Sequence, residues 1–470
     1  MNRLHCTPLG ASMFDDFIHR LQLAGKTGTS GRMALLLPSP YLLERARNQL
    51  RQAEIPAWEF PRVLSLDELA ANLAGCCKIS RVEQELLIAC LLKENSAAGL
   101  FPYFDQIVDF PGFVAAVARL FDELKMADVL PEELEGAIEA FEGEIERNAG
   151  RDADIAELFL TYQERLEEYS LMDVGEMYRR ALEALDCSEN LLPYEQIFMA
   201  EFSVLSPLRL QLIERLKKRV PLEIGICFEK NRPGVFRAVE PVYQALVGMG
   251  FTAEFHDVTM KSMAALEHLR RTLFDDAPTL SDEAAGIGLL LCPNRTKELA
   301  VVADHVKTVM LQEQYNPQEV AVVLRDPGAY TRLRAEFAER GIPVDMSQSL
   351  PLLQCALPRL IFDWLNMLQE QGSRSSVTAV LKSPYISDNL GWDVDRLESC
   401  LLGEVIRGWN DWPAALGRRA PDEVTDAAWR RGWNELVQYV REWSGPVTWT
   451  QWAMRLCGLL DWLLVPAVLG

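Results

Sequence analysis

Short aliphatic runs, each followed by a helical pattern, recur along this chain, and that alternation restricts it to α/β architectures with parallel strands. Met33-Ala34-Leu35-Leu36-Leu37 is apolar at every position, as a strand covered on both faces must be. Pro38-Ser39-Pro40 closes it, and a helix is expected over residues 41–50. Before it, Arg3-Leu4-His5-Cys6 is a first strand candidate, followed by the turn Thr7-Pro8-Leu9-Gly10-Ala11-Ser12-Met13 and a helix over 14–23. Ile197-Phe198-Met199 is another strand. Ser206 as N-cap and Pro207 as first helical residue then open a helix with Leu208, Leu212, Ile213 and Leu216 on one face. Residues 222–228 return as a strand. Ile287-Gly288-Leu289-Leu290-Leu291 and Val320-Ala321-Val322-Val323-Leu324 repeat the pattern, ahead of helices carrying Leu299, Val302 and Val306, and Tyr330, Leu333 and Phe337.

Between these strands lies a long stretch without strand signal. Ser80-Arg81-Val82-Glu83 is a capping box ahead of Leu86-Leu87-Ile88. Phe113, Val117, Leu120, Phe121 and Leu124 form one helical stripe, and Ile155, Leu158, Phe159, Tyr162, Leu166 and Tyr169 another. The expected organisation is a first α/β domain from residues 1–79 and 191–285, with 80–190 as a helical insertion. A second α/β domain would span 286–371, set off by the polar stretch 275–285. From 372 to 470 the pattern is helical again and rich in Trp392, Trp409, Trp412, Trp429 and Trp433. The apolar final residues suggest the front part of something longer.

Charge bounds the function classes. The 470 residues carry 47 Lys and Arg against 68 Asp and Glu, a net charge of −21. That argues against indiscriminate coating of nucleic acid, which needs clustered cations, but leaves room for a local basic path. The acidic excess concentrates in the helical insertion, as in 132–146. Ten irregularly spaced cysteines match neither a disulfide framework nor a metal motif, so buried free thiols in a reducing compartment are expected. No signal-peptide core opens the chain, and the apolar stretch 458–470 is broken by Asp461 and Pro466. A cytoplasmic protein without a membrane span is the expectation.

No catalytic constellation is complete. Gly25-Lys26-Thr27-Gly28 is the one phosphate-loop candidate, but the position that should hold its leading glycine is Arg20, and it precedes a strand instead of following one. It reads as a flexible turn. A phosphate loop belongs after the first strand, where Thr7, Gly10 and Ser12 occupy a small-residue turn that lacks the lysine. The strand 197–199 ends in Ala200-Glu201-Phe202, a lone carboxylate, which suits a solvated or salt-bridged strand end better than a magnesium site. Asp109 with Glu123-Leu124-Lys125 imitates a nuclease pattern but falls on a helical stripe, and reads as a solvated face. His5, His19, His256, His268 and His305 show no paired spacing. Cations are more informative: Arg45, Arg47 and Arg51 follow Ser39 and Tyr41, and Arg325, Arg332, Arg334 and Arg340 gather around the 320–324 run. Arg374 and Lys382 form a third basic site. Loop N–H groups, hydroxyls and arginines of this kind suit contacts to a phosphate backbone.

The order of these pieces resembles a known family. Leu35-Leu36-Leu37-Pro38-Ser39-Pro40 is followed by Phe121-Asp122-Glu123-Leu124-Lys125 and Val129-Leu130-Pro131-Glu132-Glu133-Leu134. Tyr162-Gln163-Glu164-Arg165-Leu166 then precedes Leu171-Met172-Asp173. Glu319-Val320-Ala321-Val322-Val323-Leu324-Arg325-Asp326 and Glu339-Arg340-Gly341-Ile342-Pro343-Val344 complete the series. Together they resemble the B subunit of bacterial ATP-dependent helicase–nuclease complexes, the AddB/RexB type.

The resemblance implies two RecA-like parallel-sheet domains with large helical insertions, as in superfamily 1 helicases, the second insertion being incomplete. It implies a subunit that helps to process double-strand DNA ends for recombinational repair. Ser39, Tyr41, Arg45, Arg325, Arg332 and Lys382 are the candidate DNA contacts. No cofactor is expected in this chain; ATP and magnesium would bind the partner motor subunit, an ATP-hydrolysing A subunit in a heterodimer. The family's nuclease domain, with its iron–sulfur cluster, would lie downstream, so none of the ten cysteines is assigned to it. The rival reading is a degenerate helicase-fold scaffold that only docks protein partners, with the Trp-rich region as its interface.

Overall fold

The structure is a computed structural model. It describes residues 2–464 except 54, 142–148, 189–191, 258–263, 275–278, 281–283, 347–351, 387–392, 420–426, 444 and 446. Trp392, parts of the acidic stretch 132–146 and of the polar stretch 275–285, and the last six residues therefore lie outside the described residues. The chain divides into two compact units, Met1–Asn294 and Arg295–Gly470.

The first unit is built on six strands: β1 (Arg3–Thr7), β2 (Met33–Leu36), β3 (Arg62–Leu64), β4 (Gln196–Ala200), β5 (Leu222–Cys227) and β6 (Thr252–Phe255). They form one sheet in the order β3-β2-β4-β5-β1-β6, with every pairing parallel. Parallel strands need covered faces, and alternate side chains enter two separate cores. Leu35, Leu37, Val63, Phe198 and Ala200 face helices α1 (Phe14–Thr27) and α2 (Pro40–Arg51). Leu4, Cys6, Leu36, Ile197, Met199, Leu222, Ile224 and Ile226 face the other way. There they meet α3 (Leu66–Ala74) and four later helices.

Helices fill the interval between β3 and β4: α4 (Arg81–Ala97), α5 (Pro111–Met126), α6 (Pro131–Phe141), α7 (Ala149–Glu168) and α8 (Val174–Cys187). The capping box read at Ser80 is formed, with Glu83 reaching back to the Ser80 N–H. α4, α5 and α7 enclose a core of their own around Ile88, Phe121, Phe159 and Tyr162, whereas α8 packs on the sheet with α9 (Pro207–Arg219), α10 (Pro233–Phe236) and α11 (Glu240–Gly248). Lys125 departs from the solvated face expected of it. Its ammonium is buried against Asp173 at 3.2 Å, beneath the rings of Phe159 and Tyr162.

The second unit corrects the expected strand at 320–324, and the run at 287–291 just ahead of it fails likewise. Among the described residues neither run belongs to a sheet, and Leu289, Leu291 and Val323 are 85, 89 and 91% exposed. A parallel strand is held by its neighbours, and no described segment pairs with these two. Among the described residues, then, there is no second sheet, and this part of the chain is helical. A helix at Arg295–Gln312 packs Leu299, Ala303 and Val306 against Leu333, Phe337 and Ile342. Farther along, Trp364, Trp412, Trp433 and Trp443 are buried in one helical core with Leu360, Leu381 and Leu436. The tryptophans there fill an interior.

The ten cysteines are free thiols, yet only Cys6 is buried; Cys77, Cys90, Cys187, Cys355 and Cys457 are exposed. A single small side chain costs little at a helix surface, so apolar character alone does not draw them inward. No described helix is long and apolar enough to cross a membrane.

Candidate nucleic-acid interface

Ligands in open α/β folds bind outside the carboxyl ends of the strands, and a cavity of about 860 Å³ opens there. Its walls are the segments leaving β2, β3 and β4: Leu37 to Pro40, Ser65 to Glu68, and Glu201 to Val204, closed by Arg47, Arg51 and Arg209. Two helix N-termini meet in it. Ser39 caps α2, its Oγ accepting the Leu42 N–H at 3.3 Å, with Pro40 as the first helical residue. Ser65 caps α3 in a reciprocal box with Glu68. Each end carries partial positive charge.

Of the acidic side chains of the wall, Asp67, Glu68 and Glu201 have fixed partners, while Glu44 is exposed. Asp67 accepts from the Tyr178 hydroxyl at 2.8 Å and from Arg209 at 3.0 Å, and Lys78 lies 3.4 Å away. Burial alone would raise the Asp67 carboxyl, but Tyr178, Lys78 and Arg209 outweigh it and hold the group below its ordinary value. Arg47 donates to the Val63 carbonyl at 2.8 Å and Arg51 to Asn48 at 3.1 Å. The Ser39 hydroxyl lines the cavity and accepts at its cap, a role that leaves a hydroxyl its hydrogen to donate.

The turn after β1 is organised differently from a phosphate loop. Thr7 Oγ1 donates to the carbonyls of Ala11 and Ile226, at 3.0 and 3.3 Å, and Gly10 takes the left-handed conformation. The Leu9 N–H donates to Glu229 at 2.9 Å, the Ser12 hydroxyl donates to Glu201, and Asp15 and Asp16 stand in the first turn of α1. A phosphate loop offers N–H groups to an anion; here carboxylates surround that position. Glu201 thus ends its strand hydrogen-bonded across the turn, in a left-handed conformation. Gly25 to Gly28 is a helix end: Lys26 lies in the last turn of α1 and Gly28 is its left-handed cap, not the flexible turn expected.

Residues 30–271 match the family model described as ADDB, N-terminal, just over half of the chain. The chain belongs to the AddB family. It is similar to proteins named as the B subunits of ATP-dependent helicase/deoxyribonucleases: 25% identical over 423 residues to that of Desulforamulus reducens, covering 83% of this chain and 36% of the relative. The relative from Acetivibrio thermocellus is 24% identical over 340 residues, covering 66% and 28%, and that from Carboxydothermus hydrogenoformans 23% over 401, covering 80% and 34%. The chain therefore spans about a third of the length of these AddB relatives.

Within this AddB chain the candidate contacts are placed unequally. Ser39 lines the cavity and Tyr41 is exposed beside it on α2. Arg45 turns toward α1, 3.2 Å from Asp15 and over the Phe14 ring, while Arg47 and Arg51 face the cavity instead. Arg325, Arg332 and Lys382 belong to the second unit. Arg325 is exposed, Arg332 lies 3.6 Å from Glu336, and Lys382 is held between Asp395 and Glu398 at 3.1 and 2.5 Å. Arg209 and Ser65 are not among the candidates that the sequence suggests; the Ser65-x-x-Glu68 capping box is a usable signal for the latter.

Proposed function

We propose that this chain is the helicase-like, DNA-gripping part of a helicase–nuclease B subunit that processes double-strand DNA ends for recombinational repair in the cytoplasm. In this reading ATP and magnesium are held by a partner A subunit, which drives movement. The observation that carries it is the cavity at the ends of β2, β3 and β4. Two helix N-termini, the Ser39 hydroxyl, Arg51 and Arg209 face one space there. Such groups hold a phosphate backbone without reading sequence, and the exposed Tyr41 ring offers a stacking surface for an unpaired base.

The same reading assigns no ATP turnover to the turn after β1. Glu201, Glu229, Asp15 and Asp16 oppose a triphosphate there, and Arg270, which donates to the Leu9 carbonyl at 3.2 Å, is paired with Glu267. Residues 286–371 and 372–470 are assigned to a second RecA-like domain and its insertion. Assembled with its motor partner, the chain is expected to bind single-stranded DNA in a salt-dependent manner. ATP hydrolysis by the complex should survive Lys26→Ala. Loss of hydrolysis in that variant would return the nucleotide site to this chain, and failure of the complex to bind single strands at low salt would leave the protein-docking scaffold.

A further inference from the structure

At the edge of the sheet, three lone-pair donors converge on one point. The register pairs His5 of β1 with Glu254 of β6, and the two-residue pleat returns His256 to the same face as Glu254. The His256 N–H donates to the Cys6 carbonyl at 2.9 Å, which carries the ladder one residue past β6. As a result His5 Nδ1 lies 2.9 Å from His256 Nε2 and 3.5 Å from Glu254 Oε2. The three candidate ligand atoms all fall within 4.8 Å of one another.

The other side of the His5 ring decides which nitrogen carries the hydrogen. His5 Nε2 lies 2.9 Å from Glu223 Oε2. Arg20 grips that carboxylate through both oxygens, at 2.7 and 2.8 Å. A carboxylate held this way is ionised, so Nε2–H donates to it and a neutral ring presents its lone pair at Nδ1. That lone pair faces a second imidazole nitrogen and a carboxylate oxygen. Arg3 stands 3.7 Å from the other oxygen of Glu254. His5 is buried, whereas Glu254 and His256 are half-buried on an edge strand, which gives an ion a way in from solvent.

We propose that His5 Nδ1, His256 Nε2 and Glu254 Oε2 bind one divalent transition-metal ion of the zinc class, with water completing its coordination. Two imidazoles and a carboxylate are the donor set such an ion takes. Glu223 plays the part of the carboxylate that orients a metal-bound histidine and sets its tautomer. The ion ties the first strand of the chain to the last strand of the sheet. The assignment is independent of the DNA-gripping reading, because none of these residues lines the cavity.

The test is calorimetric titration of the chelator-treated full chain with zinc sulfate, with melting curves and cobalt spectra in parallel. One tight equivalent is expected in the wild type, lost in His256→Ala, with a zinc-dependent rise in melting temperature that disappears in the same variant. Cobalt should give visible bands without a sulfur charge-transfer band, which separates this site from the exposed thiols. Glu254→Gln, at a partly exposed position, supplies the same comparison if His256→Ala does not fold. Glu223→Gln tests positioning and should weaken zinc binding about 10- to 100-fold. Absence of a tight equivalent in the wild type, binding unchanged in both ligand variants, or a thiolate-type cobalt spectrum overturns the proposal.

Discussion

Lys125 Nζ lies 3.2 Å from Asp173 Oδ2, and the two side chains are 1% and 2% exposed. The pair joins α5 to the start of α8, where Asp173 Oδ1 also caps the helix by accepting the Glu176 N–H at 2.9 Å. Gly175 makes the approach feasible, since a Cβ there would stand 2.7 Å from Lys125 Cβ. Lys125→Met leaves a buried carboxylate unpaired and should cost about 3–5 kcal/mol. Adding Asp173→Asn, which keeps a capping side chain, should recover much of that loss. Urea unfolding of both variants measures the two effects.

Asp67 gives the acid limb of stability a defined contributor. Its carboxyl sits below the ordinary value of 3.8 in the folded chain. Its contribution is therefore complete above that pH and lost as pH falls through the folded value. Asp67→Asn should flatten the fall of melting temperature with acidification in that window, while lowering stability near neutrality through the lost Tyr178 and Arg209 contacts. Melting curves taken from pH 7 downward give both readings.

Gly225 carries α1 directly on the sheet. A Cβ at this position would stand 2.5 Å from Met13 Cβ. Gly225→Ala should destabilise by about 1–3 kcal/mol through overpacking. Met13→Gly in the same chain should relieve the clash, whereas Met13→Ala, which retains the offending carbon, should not. Thermal melts of the three variants decide this.

Arg51 should act on DNA affinity more than on stability, since its partner in the structure is the neighbouring Asn48 side chain. Arg51→Ala is expected to reduce the slope of log affinity against log salt by about 0.7 for a single-stranded ligand, one phosphate contact's worth. A slope equal to that of the wild type, in binding measured across a salt series, would remove Arg51 from the interface.

Much of the first sheet is legible in the chain because β2 and β4 are covered on both faces and read as nearly continuous apolar runs. The edge strands are not. β3 has three residues and β6 four, with alternating or partial burial, so little apolar signal marks them. The runs at 287–291 and 320–324 show the converse: aliphatic character without a hydrogen-bonding neighbour makes no sheet. In the site, Ser39 and the S-x-x-E cap at Ser65 can be read locally. Arg209 cannot, because its place depends on α9 packing beside α3 and α8. The direction of Arg45 likewise depends on Asp15, thirty residues away on α1. Lys125 is hidden for the same reason: a charged residue on a helical stripe looks solvated until its distant counter-charge is found.

The sheet order also sets a timetable for synthesis. β1 is made first yet lies between β5 and β6, so His5 waits for His256, 251 residues farther along. During that interval the helices α4 to α7 emerge with a self-contained core and can fold while the opening strand is still without neighbours. A strand exposed for so long on the ribosome is an aggregation hazard. The alternating Arg3, His5 and Thr7 of β1 break its apolar character on one face, and so protect the nascent chain before they serve the finished sheet.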